Sequence, residues 1–441
     1  MRAYRWAFLA ISLGSTAAFA SSDVDVQEDP PAKLAPVSLE NVKPLVKGNT
    51  AFALNLYRHL PKDENLFYSP FGVSEALAIC FSGAREGTAA QMASALGFPE
   101  DGREVEQQFS LLHLVQENLA RSSDIDYEMT NSLWSKIALL PTYSDLVERE
   151  YGADLFKVQD FSSSSTKQRL TDWVSEKTRG KGVFPEEVLD DPLLQLVVMN
   201  TLYLKASWER QFPKRATRDR PFHLLDGSEV EVPMMVQTGM FQLGKWYDLE
   251  VLEMPYKGGE LSAIILLPTE KEPAQGAQGL GTTPARTSLA EIEADLTAAD
   301  LANAIRCTER ERVRVFLPRF SISSGLGLKQ MLEALGMTDA FSIEHADFSG
   351  MTGATDLRIG SVLQNARIDV DETGTEAVAV TVAAITTRGG VREEPPAKVF
   401  RADRPFMFLL RENITGTILF MGRVLDPSIT PDEESSDEKT G

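Results

Sequence analysis

Residues 375–385 form the segment that most restricts how this chain can fold. Side chains alternate there with period two, which predicts an extended strand. From Thr375 to Ala383 one face carries only small side chains, whereas Val378, Val380 and Val382 lie on the other face. A row of small residues lets a strand enter between two existing strands without displacing packed side chains. The small row consists of Thr375, Ala377, Ala379, Thr381 and Ala383.

A polar segment of the opposite character, residues 386–396, follows this strand. It contains glycines, charged residues and two prolines and has no hydrophobic periodicity, which predicts an exposed loop open to proteolysis. From these residues alone, an ordinary edge strand followed by a surface loop explains the pattern equally well.

The remainder of the chain predicts a single α+β domain. Phe52, Leu56 and Leu60 recur at a spacing of four, which indicates an amphipathic helix. The apolar run 262–267 predicts a buried strand, and the Asp-Gly pair at 226–227 predicts a hairpin. Helices dominate early and strands late, and no repeat or linker divides the chain.

The N-terminus has the pattern of a secretory signal peptide. Arg2 and Arg5 precede a short apolar run, and Ala18 and Ala20 provide small residues at the positions that a signal peptidase reads. This pattern predicts removal of residues 1–20 and a secreted protein, extracellular or, in a bacterium, periplasmic. A buried helix of the mature fold is the alternative.

Polar, acidic segments flank the predicted domain. Residues 21–37 and 428–441 lack apolar periodicity, so we expect a disordered leader and a disordered tail. The domain itself is expected to span residues 38–427.

The charge balance restricts the possible partners. With 64 acidic against 44 basic residues the net charge is −20, which disfavours nucleic acid. No basic cluster of the kind that would bind heparin stands out in the sequence, and no later segment reaches membrane-spanning length. Cys80 lies in an apolar run and is expected to be a buried thiol, although a bridge to Cys307 remains open.

No enzymatic motif is present in the sequence. The four histidines have no spacing typical of metal ligands, and no G-x-S-x-G motif is found. We therefore expect neither a metal nor a cofactor, and no enzymatic activity. The histidines are His59, His113, His223 and His345.

Six motifs, which run in family order over about residues 45–427, resemble those of the serpin family of serine protease inhibitors. Each is modest alone, and their common order makes the resemblance specific. Early in the chain they are Tyr68-Ser69-Pro70, then Gly83-Ala84-Arg85 with Thr88 and Gln91-Met92, and then Asn200-Thr201-Leu202-Tyr203-Leu204-Lys205 with Trp208. Later they are Glu372-Thr373-Gly374-Thr375-Glu376-Ala377, then Phe400 to Phe408, and then Leu419 to Val424 with Asp426-Pro427.

The resemblance implies a metastable fold of three β-sheets and about nine helices with an exposed reactive-centre loop at about residues 372–399. In such inhibitors a protease cleaves the loop and forms an acyl-enzyme, and the cut loop then inserts into the large sheet and traps the protease covalently. The hinge that starts this insertion would comprise Glu372, Thr373, Gly374, Thr375, Glu376, Ala377, Val378 and Ala379.

The resemblance also implies the position of the cleaved bond. In inhibitory members this bond lies fourteen residues past the hinge glycine, which from Gly374 gives Arg388–Gly389. Fourteen residues of strand span about 46 Å, which is on the order of a domain-sized sheet. An arginine before the cleaved bond suits a trypsin-like protease. Arg392 is the competing site and would make the inserting segment four residues longer.

By the same resemblance, Ser69 and Asn200 would lie where the large sheet opens and Trp208 near the point where insertion starts. Two residues depart from the family pattern in this region. Gly72 stands where many members have a serine, and Gln364 where many have a histidine. The energetics of sheet opening are therefore expected to differ.

Three functions remain open on the sequence. The first is irreversible inhibition of a trypsin-like serine protease by a monomer. The second is a non-inhibitory binding or carrier protein of the same fold, which the small hinge residues disfavour. The third is inhibition of papain-like cysteine proteases.

Overall fold

A computed structural model describes residues 39–122, 124–180, 182, 186–269, 288–375 and 396–431. The predicted signal peptide, the leader and most of the acidic tail lie outside the described residues. So does the predicted reactive loop from Glu376 to Pro395.

Ten α-helices occur within the described residues, and most of them precede the later strands. They are α1 (Lys43–Tyr57), α2 (Pro70–Gly83), α3 (Glu86–Leu96), α4 (Gly102–Arg121), α5 (Pro141–Tyr151), α6 (Ser164–Lys177), α7 (Leu289–Asp295), α8 (Ala298–Arg306), α9 (Lys329–Ala334) and α10 (Ser349–Thr352).

One six-stranded sheet, referred to below as the large sheet, has the order β10-β11-β12-β4-β2-β3. Most neighbours in it are antiparallel, but β4 and β11 are parallel and pair directly over part of their length. Its strands are β2 (Ile125–Ser135), β3 (Asp154–Lys157), β4 (Leu196–Ser207), β10 (Phe320–Gly327), β11 (Ser361–Val370) and β12 (Gly374–Thr375).

The second sheet has nine strands, in the order β1-β15-β14-β8-β7-β6-β9-β13, with β5 paired to β6. It holds two of the three expected sheets, because the 18-residue β6 pairs with β5 and β9 over its first part and with β7 at its end. Its strands are β1 (Leu66–Tyr68), β5 (Arg218–His223), β6 (Glu229–Trp246), β7 (Leu249–Pro255), β8 (Leu261–Pro268), β9 (Glu309–Pro318), β13 (Lys398–Arg401), β14 (Phe406–Glu412) and β15 (Ile418–Val424).

Local sequence explains several of these elements. Every residue of β8 is buried, as its apolar run predicts. Gly227 has a φ of +85° in the turn between β5 and β6, a conformation that glycine adopts without steric cost. Together with the helices, these strands confirm the predicted α+β class.

Two apolar clusters cover the two faces of the large sheet. The main core contains α2 and the even-numbered residues of β4, such as Val198 and Leu202. A smaller cluster packs α6 against Val197 and Met199 on the opposite face. The face of each β4 residue is therefore known, which matters for the site below. Both cysteines are free, so the bridge left open by the sequence is not formed.

Candidate functional site: the sheet opening and the loop hinge

The centre of the large sheet is only partly closed. Strands β4 and β11 pair in parallel along Val197–Leu202 and Ser361–Ala366. Beyond that stretch β12 lies between them, with Thr375 paired to Ala206 on one side and to Val370 on the other. The two strands thus separate at one end and admit a third.

Glu372, Thr373, Gly374 and Thr375 are buried, whereas the sequence predicted an exposed loop from about residue 372. The expected start of the loop is therefore corrected to a point after Thr375. The small side chains explain this burial, because a Cβ on Gly374 would collide with the backbone of β4. The Thr375 hydroxyl also hydrogen-bonds the Tyr256 hydroxyl at 2.6 Å.

A buried carboxylate anchors the segment before β12. Glu372 accepts hydrogen bonds from the Arg319 guanidinium at 2.5 and 2.9 Å and from the Thr217 hydroxyl at 2.6 Å. Burial alone would raise the pKa of Glu372, but the bonds from Arg319 and Thr217 outweigh it and hold that pKa below its usual range. The charged carboxylate therefore fixes the base of the loop.

Trp208, the residue directly after β4, holds the same segment. Its indole Nε1 donates to the Asp371 carbonyl at 3.0 Å, and its backbone N–H donates to the Thr373 carbonyl at 2.9 Å. The ring stacks on Tyr256 with 4.5 Å between centroids. The structure thus places Trp208 at the point where the chain enters the sheet.

In the middle of the sheet, the Gln364 amide connects α2, β11 and β4. Its Nε2 donates to the Ser69 carbonyl at 2.7 Å and to Asn200 Oδ1 at 2.9 Å, and its Oε1 accepts from the Ser69 N–H at 3.0 Å. Asn200 Nδ2 in turn donates to Asn131 Oδ1 at 2.8 Å. Ser69, Asn200 and Gln364, which lie far apart in sequence, thus form one buried network.

Gly72 and Gln364, the two departures from the family pattern, are linked through the Asn200 side chain. A Cβ on Gly72 would collide with Asn200 Oδ1, so glycine leaves the space that the asparagine amide occupies. Gln364 reaches that amide and the backbone of Ser69 together. Because glutamine both donates and accepts, the network closes without a serine at position 72.

Asn365 is a feature of the site that the sequence analysis missed. Its side chain faces α6, opposite to Gln364, and is only 1% exposed. Neither its Oδ1 nor its Nδ2 has a hydrogen-bond partner in the described part of the chain. An unsatisfied buried amide costs about 1–3 kcal/mol, so the closed pairing of β11 with β4 is less stable than its backbone bonds suggest.

The other predicted site residues lie outside the described residues. These are Glu376, Ala377, Val378, Ala379, Arg388 and Gly389. Among the residues that are described, no group of three or more His, Cys, Asp or Glu side chains could hold a metal ion. No described helix is long and apolar enough to cross a membrane.

The fold and this site define a class of protein in which a short strand lies between two strands of a large mixed sheet. The family model described as serpin, serine protease inhibitor, matches residues 47–427. The chain therefore belongs to the serpin family.

Similar proteins differ in what their names say they do. Human leukocyte elastase inhibitor is 36% identical over 87% of this chain and 99% of its own, and serpin B6 of Pongo abelii gives the same three values. Human thyroxine-binding globulin, solved in complex with thyroxine, is 28% identical with a TM-score of 0.75 over 88% of this chain and 99% of its own. The similar proteins thus include both inhibitors and a thyroxine-binding protein.

The prediction of secretion is wrong. Leukocyte elastase inhibitor and serpin B6 are intracellular serpins without signal peptides, and no signal peptide is shown for this chain. The prediction depended on two arginines, a short apolar run and two alanines.

Proposed function

We propose that this serpin is an irreversible suicide-substrate inhibitor of serine proteases that cleave after arginine. The observation that carries the proposal is the position of β12, which lies between β4 and β11 and is antiparallel to both. The next residues of the loop could therefore extend an existing strand and would need no new nucleation event.

The register of β12 fixes how the rest of the strand would insert. Continued pairing in that register would set Thr381 opposite Asn200 on β4 and opposite Gln364 on β11. These two side chains now bond each other at 2.9 Å. An inserted strand would separate them, and the Thr381 hydroxyl could donate to one and accept from the other.

The same register indicates which face of the large sheet the row of small residues would occupy. Thr375 faces the α2 side of the sheet, so every second residue after it, through Ala383, would face that side as well. The main core is closely packed there, and large side chains would have to displace it. The small residues would thus lie on the face that carries the main core.

The length of the sheet favours Arg388 over Arg392 as the cleaved residue. In this register Ile385 would pair with Leu196, the first residue of β4. Cleavage after Arg388 would leave three residues beyond the end of the sheet, and cleavage after Arg392 would leave seven. A shorter free end lets the bound protease be carried to the far end of the sheet, where it is compressed against the inhibitor.

The chemistry of trapping is that of acyl transfer. The protease serine Oγ attacks the Arg388 carbonyl, the peptide bond to Gly389 breaks, and the new amino group of Gly389 leaves with its proton supplied by the protease histidine. An ester between the serine and Arg388 remains. Insertion of the strand before water attacks this ester would make the complex permanent.

Incubation with trypsin, followed by denaturing gel electrophoresis, tests the proposal. We expect a covalent complex and a released C-terminal fragment that begins at Gly389. Arg388→Ala should abolish the complex, whereas the matched variant Arg392→Ala should retain it. Clean cleavage without a complex, by trypsin and by other arginine-specific proteases, would reject the inhibitor function.

A second candidate, a carrier for a small amphipathic anion, is favoured by one pocket. It lies between α1 and α8, has a volume of about 650 Å³ and is lined mainly by apolar groups. Four basic side chains also line it, namely Lys43, Lys47, Arg306 and Arg411. Apolar walls with a few charged groups are typical of small-molecule sites.

Calorimetric titration with thyroxine, the ligand named for one structural neighbour, tests the carrier function. We expect saturable binding with one site per chain if the pocket is functional. Ala302→Trp should remove it, because Ala302 is exposed and lines the pocket. Lack of binding, or binding unchanged by this variant, would exclude a carrier of this ligand class.

A further inference from the structure

Three arginines from three strands converge on one aromatic ring of the nine-stranded sheet. The guanidinium carbons of Arg401, Arg314 and Arg220 lie 3.9, 5.1 and 5.5 Å from the centroid of Phe316. Each guanidinium carbon is within 5.5 Å of this centroid, so the three guanidinium groups are neighbours. Phe316 itself is only 3% exposed beneath them.

Sheet register explains why they meet. Arg401 on β13 pairs directly with Phe316 on β9, and Arg314 lies two residues earlier on the same face of β9. Arg220 comes from β5, which pairs with β6 next to β9. The arginines are distant in sequence, which explains why no basic cluster stands out there.

The cluster has few negative partners in the described part of the chain. Arg401 reaches the Asp403 carboxylate at 3.8 Å, but Asp403 lies closer to Arg404, at 3.1 Å. No described carboxylate lies within 4.0 Å of Arg220 or Arg314, and Arg220 Nε is buried without a hydrogen-bond partner. Adjacent like charges repel, so an anion bound beside the exposed parts of these guanidinium groups would relieve that repulsion.

The position of the cluster connects it to the loop. Strand β13 is the first strand after the residues that the reactive loop would occupy, and Arg401 follows Gly389 by twelve residues. We infer that the Arg220–Arg314–Arg401 cluster is a docking site for surface carboxylates of the protease that attacks the loop. This inference rests on the proposed inhibitory function.

Protein carboxylates fit the cluster better than an anionic polysaccharide does. The chain carries a net charge of −20, which repels a long polyanion, whereas a compact group of three cations can hold one or two carboxylates. Guanidinium groups bind carboxylates in bidentate geometry and are held in place by stacking on an aromatic ring. Docking of this kind raises the association rate and is weakened by salt.

A binding assay on the full chain tests the site independently of inhibition. A fluorescein-labelled hexaglutamate peptide is titrated with the protein, and the fluorescence anisotropy of the peptide is followed from about 20 to 300 mM NaCl. The Debye length shortens roughly fourfold over this range. We expect salt-sensitive binding that Arg314→Gln weakens about fivefold or more, since a charge pair is lost. Arg314→Lys should weaken it less, and the control Arg103→Gln on α4 should not change it.

The second measurement is the rate of covalent complex formation with trypsin. We expect Arg314→Gln to lower this rate and its salt dependence, and the peptide to slow the wild-type reaction. Binding of a heparin octasaccharide but not of the peptide would overturn the assignment to a protein partner, as would no binding of either. If the peptide binds and no complex ever forms, the anion site stands and the inhibitory function fails.

Discussion

At the residue scale, the buried network around Gln364 shows how two unusual residues depend on each other. Gly72 leaves room for the Asn200 amide, and Gln364 connects that amide to the backbone of Ser69. The sequence indicates both departures from the family pattern. It does not show that they are coupled, because positions 72 and 364 meet only when α2 lies behind β11.

Gly72→Ser is predicted to destabilise the native state by about 2–3 kcal/mol, because the new side chain displaces Asn200 and leaves buried polar groups unpaired. Urea unfolding would measure the loss. Gly102→Ala is the control, since a Cβ at Gly102 makes only an ordinary contact with Phe81. The double variant Gly72→Ser/Gln364→His should recover part of the loss, and a purely additive effect would contradict the coupling.

At the element scale, the two-residue strand β12 determines how the residues after it would lie in the sheet. It pairs with both neighbours and so fixes the face of every residue that would follow it in the sheet. Alternation in the sequence predicts a strand with one small face. Only the pairing of Thr375 with Ala206 and Val370 indicates which face of the sheet that row would occupy.

Ala379→Glu is predicted to convert the inhibitor into a substrate. In the register of β12, residue 379 would lie between Leu202 and Ala366, both buried on the α2 face. A charged side chain there would cost several kcal/mol and slow insertion, so water would hydrolyse the ester first. Titration of trypsin activity should give a stoichiometry well above one inhibitor per protease. Ala379→Ser, which keeps the residue small, should behave like the wild type.

Contacts between helices also suggest that the stability of the protein depends on pH. His113 on α4 lies with Nε2 2.5 Å from Glu75 Oε1 on α2 and Nδ1 3.1 Å from the Glu150 carbonyl on α5. Both partners accept, so the ring fits this position best when both nitrogens carry hydrogen. Burial alone would lower the pKa of His113, but Glu75 and the Glu150 carbonyl outweigh it and raise that pKa above its usual value.

A raised pKa means that the folded state binds the proton more tightly than the unfolded state. The resulting stability is complete below about pH 6.5, the ordinary histidine value, and is lost as pH rises through the folded pKa. We therefore expect thermal stability to decline as the pH rises above about 6.5, the ordinary histidine pKa. His113→Gln should flatten this decline, and an unchanged slope would show that other groups cause it.

At the scale of the whole molecule, two features of the large sheet would favour the proposed insertion of the loop. Asn365 has an unsatisfied amide, and β4 and β11 pair along only part of their length. Insertion of a full strand would add two ladders of backbone hydrogen bonds. The unpaired amide and the short pairing thus both favour insertion of a strand, a change that would extend through the whole sheet.

Cleavage of the loop without a trapped protease is predicted to stabilise the protein. A protease that cuts near Arg388 and is then inactivated should leave a chain whose melting temperature is higher by roughly 10 °C or more, because the freed strand joins the sheet. Differential scanning calorimetry before and after cleavage would measure this. The Ala379→Glu variant should gain less, and an equal gain in both would contradict insertion through residue 379.

The sequence by itself determined the features that depend on short-range order. Alternation at 375–385, the buried strand β8 and the turn at Gly227 follow from residue size, hydrophobicity and backbone freedom, and the ordered motifs identified the family. Tertiary structure decided the features that need residues from distant parts of the chain. It buried Glu372–Thr375 in the sheet, joined Gly72 to Gln364, left Asn365 without partners and gathered three arginines on Phe316. Strand pairing creates these contacts, and no local pattern records which strands will pair.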